Sequence, residues 1–213
     1  MRIKVCGMTN AEQVMQLDEM GVEFAGFIFY PNSPRYVYRS MHKEEIKKIR
    51  GKGINKVGVF VNAGIEEVLE AVDDCGLYLV QLHGDETPKY CEKIANYVTV
   101  VKAFRLREDD NVLWKIKDYR DIADMFLFDT EGAGYGGTGR KFDWNLLKDL
   151  TIGKPYFLSG GIEPEDTEKL KIFAGEPVAK DLFSIDINSR FETSPGVKDM
   201  GKLQPFIEAV KKL

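Results

Sequence analysis

Apolar and polar residues alternate along eight short stretches of this chain, and each stretch is followed by a segment with helical spacing. In the first, Ile3 and Val5 alternate with Lys4 and Cys6, so a strand puts two apolar side chains on one face and an amine and a thiol on the other. Gly7 ends it, and Thr9 to Glu12 has the spacing of a capping box opening a helix that stops near Gly21. Further strands are predicted at Phe24 to Tyr30, Lys56 to Asn62, Tyr78 to His83, Val98 to Phe104, Met125 to Asp129, Tyr156 to Ser159 and Leu182 to Ile187. Helical spacing fills the intervals. It runs from Ser40 to about Arg50, over Ile65 to Cys75 with Gly76 as its stop, from Thr87-Pro88 onward, and around Leu113, Ile116 and Tyr119. It returns after a cap at Asp143, from Pro164 to Phe173, and from about Asp199 to Lys212, where Pro205 is expected to kink or restart the helix.

Eight strand-helix units, spaced by roughly 20 to 30 residues, predict a parallel sheet with helical crossovers, and eight is the number that closes a barrel. An open doubly wound sheet would want nearly continuous apolar strands. Here one strand face collects Lys4, Cys6, Gln81, His83, Asp129, Ser184, Asp186 and Asn188, and the other collects Ile3, Val5, Val80, Leu82, Phe128, Phe183 and Ile185. Polar residues inward and apolar residues toward the helices suit a single (β/α)8 barrel, of the TIM type, spanning residues 1–213 as one domain. Chemistry in such a barrel gathers at the C-terminal ends of the strands and in the loops that follow them.

Composition narrows the function. Of 213 residues, 44% are hydrophobic and 30% charged, and the formal net charge of −4 offers no broad basic footprint for nucleic acid. The N-terminus alternates instead of carrying a signal peptide's apolar run, and no stretch approaches the roughly 18 apolar residues of a membrane span. A cytoplasmic protein with no membrane partner is expected. Cys6, Cys75 and Cys91 are an odd count without C-x-x-C or zinc-finger spacing, so free thiols are predicted.

Candidate chemistry sits at the strand ends. Cys6 is either a buried structural thiol or a nucleophile or base, with Lys4 beside it to favour the thiolate. Asp129 follows Phe126-Leu127-Phe128, where partial desolvation suits a general acid, although an Asx-turn also explains an aspartate there. Gly134 to Gly139 formally matches the dinucleotide pattern G-x-G-x-x-G, but its glycines begin well past the strand, and a loop closing over a ligand is the better reading. Gly160-Gly161 and Asn188-Ser189 occupy the loops after strands seven and eight, where barrels hold phosphate on backbone N–H groups; two tight turns are the alternative. Arg35, between Pro34 and Tyr36, offers a fork for a carboxylate or phosphate or is a surface arginine. His83, with only His42 as company, does not suggest a metal site.

Taken together, Lys4-Val5-Cys6-Gly7-Met8-Thr9, Gly26-Phe27-Ile28-Phe29 with Ser33-Pro34-Arg35-Tyr36-Val37, Val59-Phe60-Val61-Asn62 and Gln81-Leu82-His83-Gly84-Asp85 closely resemble the phosphoribosylanthranilate isomerase family. So do Phe128-Asp129-Thr130, Gly136-Gly137-Thr138-Gly139 with Phe142-Asp143-Trp144, Ser159-Gly160-Gly161-Ile162 and Ser194-Pro195-Gly196-Val197-Lys198-Asp199. The resemblance covers almost the whole chain in order. It implies a β/α barrel catalysing an Amadori rearrangement in tryptophan biosynthesis, with Cys6 matching the general base and Asp129 the general acid. By the same resemblance Arg35 takes the anthranilate carboxylate, the loops at Gly160, Gly161, Asn188 and Ser189 take the phosphate, and His83 and Asp186 complete the substrate-binding set. The imine formed from the substrate is its own electron sink, so neither cofactor nor metal is implied. A small phosphosugar-anthranilate substrate and a monomer or homodimer are expected.

One departure from the family pattern is Arg190-Phe191 before Glu192, where small glycine-valine residues are usual; Arg190 either supplements phosphate binding or points into solvent. Two competing functions remain. A sister phosphosugar isomerase of histidine biosynthesis uses carboxylates as both acid and base, which Cys6 argues against. An idle barrel that binds phosphosugars or scaffolds other enzymes would leave the retention of both Cys6 and Asp129 unexplained.

Overall fold

The computed structural model describes residues 1–130 and 143–213, and in it eight parallel strands pair in sequence order and close with β8 against β1. They are β1 (Ile3–Cys6), β2 (Phe24–Ile28), β3 (Asn55–Phe60), β4 (Leu79–Leu82), β5 (Thr99–Leu106), β6 (Met125–Thr130), β7 (Tyr156–Leu158) and β8 (Leu182–Ile187). Around them lie α1 (Ala11–Glu19), α2 (Lys43–Lys48), α3 (Ile65–Cys75), α4 (Pro88–Ala95), α5 (Val112–Ile116), α6 (Thr167–Ala174) and α7 (Met200–Val210). The glycine-rich segment Gly134 to Gly139, with Phe142, falls outside the described residues.

Several predicted boundaries move for local reasons. Asn10 caps α1 by accepting from the Gln13 N–H, one residue beyond the Thr9 capping box expected, while the Thr9 hydroxyl donates instead to the Gly196 carbonyl. That bond ties the first loop to a β-hairpin, β9 (Glu192–Ser194) and β10 (Val197–Lys198), which the helical and strand periodicities did not reveal. The stretch expected as one helix from Ser40 is a 3₁₀ turn over Val37–Arg39 followed by the short α2. The segment that Asp143 caps is a single 3₁₀ turn, Trp144–Leu147. Pro205 neither restarts nor ends α7, which runs through it as one element.

Apolar residues on the outer strand faces pack under the helices in one continuous layer that includes Ile3, Val5, Val80, Leu82, Phe126, Phe128 and Ile185. The barrel interior is not polar throughout, as the alternation suggested. Its floor is an apolar plug of Phe24, Val57, Leu79, Val101, Ala103, Leu127 and Phe157, and polar residues occupy only the mouth above it. Phe183, assigned by alternation to the helix side, packs into this floor against Phe24 and Phe157, with ring centroids 5.7 and 5.4 Å apart. The cause is a register shift: Tyr156 pairs with Leu182 but Phe157 with Ser184, so two residues of β8 oppose one of β7 and strict alternation breaks.

One charged side chain is buried on the outer face. Lys102 of β5 donates to the carbonyls of Leu82 and Gly84 at 3.3 and 2.8 Å and to Glu86 at 2.9 Å, and the Glu86 carboxylate in turn accepts from the N–H groups of Asn62 and Gly84. This pair fastens the loop after β4 to the barrel wall.

Candidate active site

β1 and β8 pair with Lys4 opposite Asp186, and the Lys4 amine donates to the Asp186 carboxylate at 2.8 Å. Both side chains are buried. Burial alone would depress Lys4, but Asp186 and Cys6 outweigh it and the amine titrates above its ordinary value. Burial raises the Asp186 carboxyl against the pull of Lys4; Asp129 adds to the rise and His83 opposes it. Asp186 therefore sits within the electrostatic reach of both strand-end groups singled out as acid and base.

Cys6 lies two residues along β1 and is 4% exposed. Gly26 of β2 makes the space it occupies, since a Cβ there would come within 2.9 Å of the Cys6 sulfur and 3.2 Å of the Lys4 side chain. Its apolar neighbours at the mouth are Ile28 and Val59, with Tyr30 packed against them. Lys4 and Lys198 both draw the thiol toward ionisation, as the sequence led us to expect of Lys4, but burial is the larger effect and Asp186 adds to it, so the thiol is pushed up. The resting group is a thiol, and its thiolate is a strong base.

Asp129 ends the interior face of β6. Its Oδ1 accepts from the Thr130 N–H at 2.8 Å, and its Oδ2 lies 3.3 Å from Nε2 of His83. The other ring nitrogen of His83, Nδ1, is 2.6 Å from Nε2 of Gln81, which is buried on β4. Gln81, His83 and Asp129 thus form a connected line across the mouth.

Arg35 crosses the opposite side. Gly7, at φ +77, lets the chain turn beneath it, because a Cβ at that position would meet Arg35 Cδ at 2.7 Å and Asn188 Oδ1 at 2.8 Å. The guanidinium expected to receive a ligand carboxylate is already bidentate on an internal one: Nε and Nη2 bind Glu192 at 2.9, 3.0 and 2.6 Å. Lys198 completes this cluster, donating to Glu192 at 2.8 Å and to Asn188 at 2.9 Å. Burial disfavours ionised Glu192, but the bonds and charges of Arg35 and Lys198 outweigh it and hold the carboxyl below its usual range. Burial lowers the Lys198 amine. Glu192 and Lys198 were not among the residues selected from sequence. Their signal was available, an acid and a base flanking the turn Ser194-Pro195-Gly196, but only the hairpin shows that they share one cluster.

At the far rim, Gly160 and Gly161 follow β7, and among the described residues neither N–H is used within the chain. Asn188 and Ser189 follow β8 across from them. The Arg190 Nε approaches Glu163 at 3.8 Å while its side chain stays 43% exposed, and Phe191 is buried on Phe206 with ring centroids 4.8 Å apart. Among the described residues no cluster of histidine, cysteine or carboxylate is placed to hold a metal ion, and no helix is long and apolar enough to cross a membrane.

Residues 3–209 match the family model described as N-(5'-phosphoribosyl)anthranilate (PRA) isomerase. A relative from Parabacteroides distasonis named N-(5'-phosphoribosyl)anthranilate isomerase is 38% identical over 211 residues, covering 99% of this chain and 93% of the relative. The crystal structure of phosphoribosyl anthranilate isomerase from Thermotoga maritima superposes with a TM-score of 0.85 at 33% identity, covering 100% of this chain and 99% of that one. A second solved structure, of the isomerase in complex with reduced 1-(o-carboxyphenylamino)-1-deoxyribulose 5-phosphate, gives a TM-score of 0.80 at 32% identity, covering 100% of this chain and 99% of that one.

Proposed function

The chain belongs to the N-(5'-phosphoribosyl)anthranilate isomerase family, and from that premise we propose that its own residues divide the work between a Cys6 base and an Asp129 acid. The reaction is the Amadori rearrangement of N-(5'-phosphoribosyl)anthranilate to 1-(2-carboxyphenylamino)-1-deoxyribulose 5-phosphate, a step of tryptophan biosynthesis catalysed by an aldose-ketose isomerase. The single observation that carries the division of roles is Asp186, whose charge couples to Lys4 and Cys6 on one side and to Asp129 and His83 on the other.

Asp129 in its carboxylic form gives its proton to the ribose ring oxygen. The bond from that oxygen to C1′ breaks, and the nitrogen lone pair closes an iminium. The iminium acidifies the proton on C2′, which the Cys6 thiolate removes, its C–H electrons forming the enolamine. Loss of the enol proton and protonation of C1′ then give the ketone, so no net proton or electron is consumed. A raised thiol pKa makes the thiolate basic enough for a carbon acid, and Lys4 and Lys198 are the cations that limit how rare it is.

Arg35, locked in place by Glu192, has Nη1 outside those bonds for the anthranilate carboxylate. Ile28, Val59 and Tyr30 offer an apolar wall to the aromatic ring. The open N–H groups of Gly160 and Gly161, with Asn188 and Ser189 opposite, suit the phosphate. The test is turnover of freshly generated substrate, followed by anthranilate-type fluorescence, in the wild type, Cys6→Ala and Asp129→Asn. Each substitution is expected to lower kcat by about 10²- to 10⁴-fold with the fold intact; a variant that keeps wild-type turnover removes that residue from its role.

A further inference from the structure

Lys198 ends the β9–β10 hairpin, and its side chain is 0% exposed. No ligand reaches the amine, so it acts only through the groups around it. Its backbone is stapled to α1: the N–H donates to Gln13 Oε1 at 3.0 Å and the carbonyl accepts from Gln13 Nε2 at 2.8 Å. At the far end of the side chain Nζ meets two acceptors, Glu192 at 2.8 Å and Asn188 Oδ1 at 2.9 Å. Asn188 stands where the chain leaves β8 and opens the 3₁₀ turn Ser189–Phe191. An asparagine at such a position ordinarily accepts, with its side-chain oxygen, from a backbone N–H of the turn it opens. This one makes no such bond. Its oxygen is taken by Lys198 instead, and Gly7 leaves room for it, since a Cβ there would come within 2.8 Å of Oδ1. The reversed amide would set its NH2 group against the N–H groups of the amine. Lys198 therefore fixes which end of the carboxamide is left over. That end is Nδ2, a donor of two hydrogens that, among the described residues, no group of the chain uses.

We propose that Lys198 is a positioning residue for the phosphate of the substrate: by holding Oδ1 of Asn188 it offers the Nδ2 hydrogens to the rim where Gly160 and Gly161 present their N–H groups. The proposal rests on the reading of that rim as the phosphate subsite. β7 and β8 are paired neighbours, so the loops that leave them are adjacent. A phosphate arriving there meets a donor whose orientation is already set, which removes the cost of ordering that side chain on binding. The amine itself stays on Glu192, out of reach of the ligand. Lys198 thus serves the phosphate at one remove, through the amide it turns.

Inorganic phosphate is the probe, used as a competitive inhibitor of turnover and as a titrant followed by ¹⁵N NMR. Its inhibition constant reads binding alone, which sets aside the pull of Lys198 on the Cys6 thiol. Lys198→Met and Asn188→Ala are each expected to raise that constant about three- to tenfold. The double variant is expected to raise it no further than Asn188→Ala does, because one residue acts through the other. Lys198→Gln, one bond too short to bridge both acceptors, serves where Lys198→Met does not fold. In the wild type, the Asn188 side-chain NH2 signals, assigned by their loss in Asn188→Ala, are expected to move with the same midpoint as the backbone N–H signals of Gly160 and Gly161. An equal cost of losing Lys198 with and without Asn188, or an Asn188 amide that stays still while the two glycines respond, overturns the proposal and leaves the phosphate subsite standing. If phosphate neither competes with the substrate nor moves either glycine, the subsite reading itself fails and takes the proposal with it.

Discussion

Lys4 and Lys102 are both buried against carboxylates, and their surroundings could hardly differ more. Lys102 stands on the outer face of β5 with three acceptors, two carbonyls and Glu86, and Glu86 is itself held by backbone N–H groups from two loops. Lys4 stands inside the mouth with Asp186, and beside it lies a thiol whose ionisation it promotes. The outer pair is saturated and closed off by the wall, so its charge serves only to fasten the β4 loop. The inner pair has reach to spare, and that reach extends to Cys6 and Asp129, the groups proposed to exchange protons. Saturation, more than burial, separates a structural ion pair from a functional one in this fold.

The largest effect is expected from Lys102→Met. It leaves Glu86 buried without its cation, which typically costs about 3–5 kcal/mol. Denaturant unfolding should show that loss, while the kcat of the protein that remains folded stays near wild type; a marginal change in stability would mean the outer pair is not the fastening described. Lys4→Met should do the reverse. Asp186 already titrates high and takes up a proton when its partner is removed, so stability falls by less, about 1–3 kcal/mol. The Cys6 thiol loses one of the two cations that favour its ionised form and moves further up, slowing alkylation at pH 8 by about tenfold. An unchanged alkylation rate would remove Lys4 from any role in tuning the thiol.

Glu192 tests the intermediate case, a carboxylate shared by Arg35 and Lys198. Its folded pKa lies below its unfolded one, so its contribution to stability is fully present above the ordinary glutamate value and is lost as pH falls through the folded value. Glu192→Gln should therefore lower stability at neutral pH by about 1–2 kcal/mol and converge on the wild type in acid. Parallel stability curves down to the acid limb would show that the cluster does not hold the carboxylate as its geometry indicates.

Some of this was legible one residue at a time. Cys6, Asp129, Gly160 and Asn188 declare themselves because each ends a strand or opens a loop, and the eight-fold alternation places all such positions at one mouth. What periodicity could not supply was contact. Glu192 and Lys198 lie on a hairpin too short to register as an alternating segment, and the Arg35 fork proved to be held by a residue 157 positions away. Phe183 moved to the barrel floor because a bulge, which depends on how β7 pairs with β8, overrides alternation.

Local spacing and residue type were enough for the barrel, its strand and helix order, its family and the candidate acid and base at its mouth. Tertiary structure decided the sign of the thiol's shift, the occupation of the Arg35 fork and the line from Gln81 through His83 to Asp129. Each of these is set by how far water is excluded and by which distant side chain fills the space, and both are properties of the packed chain, not of any segment of it.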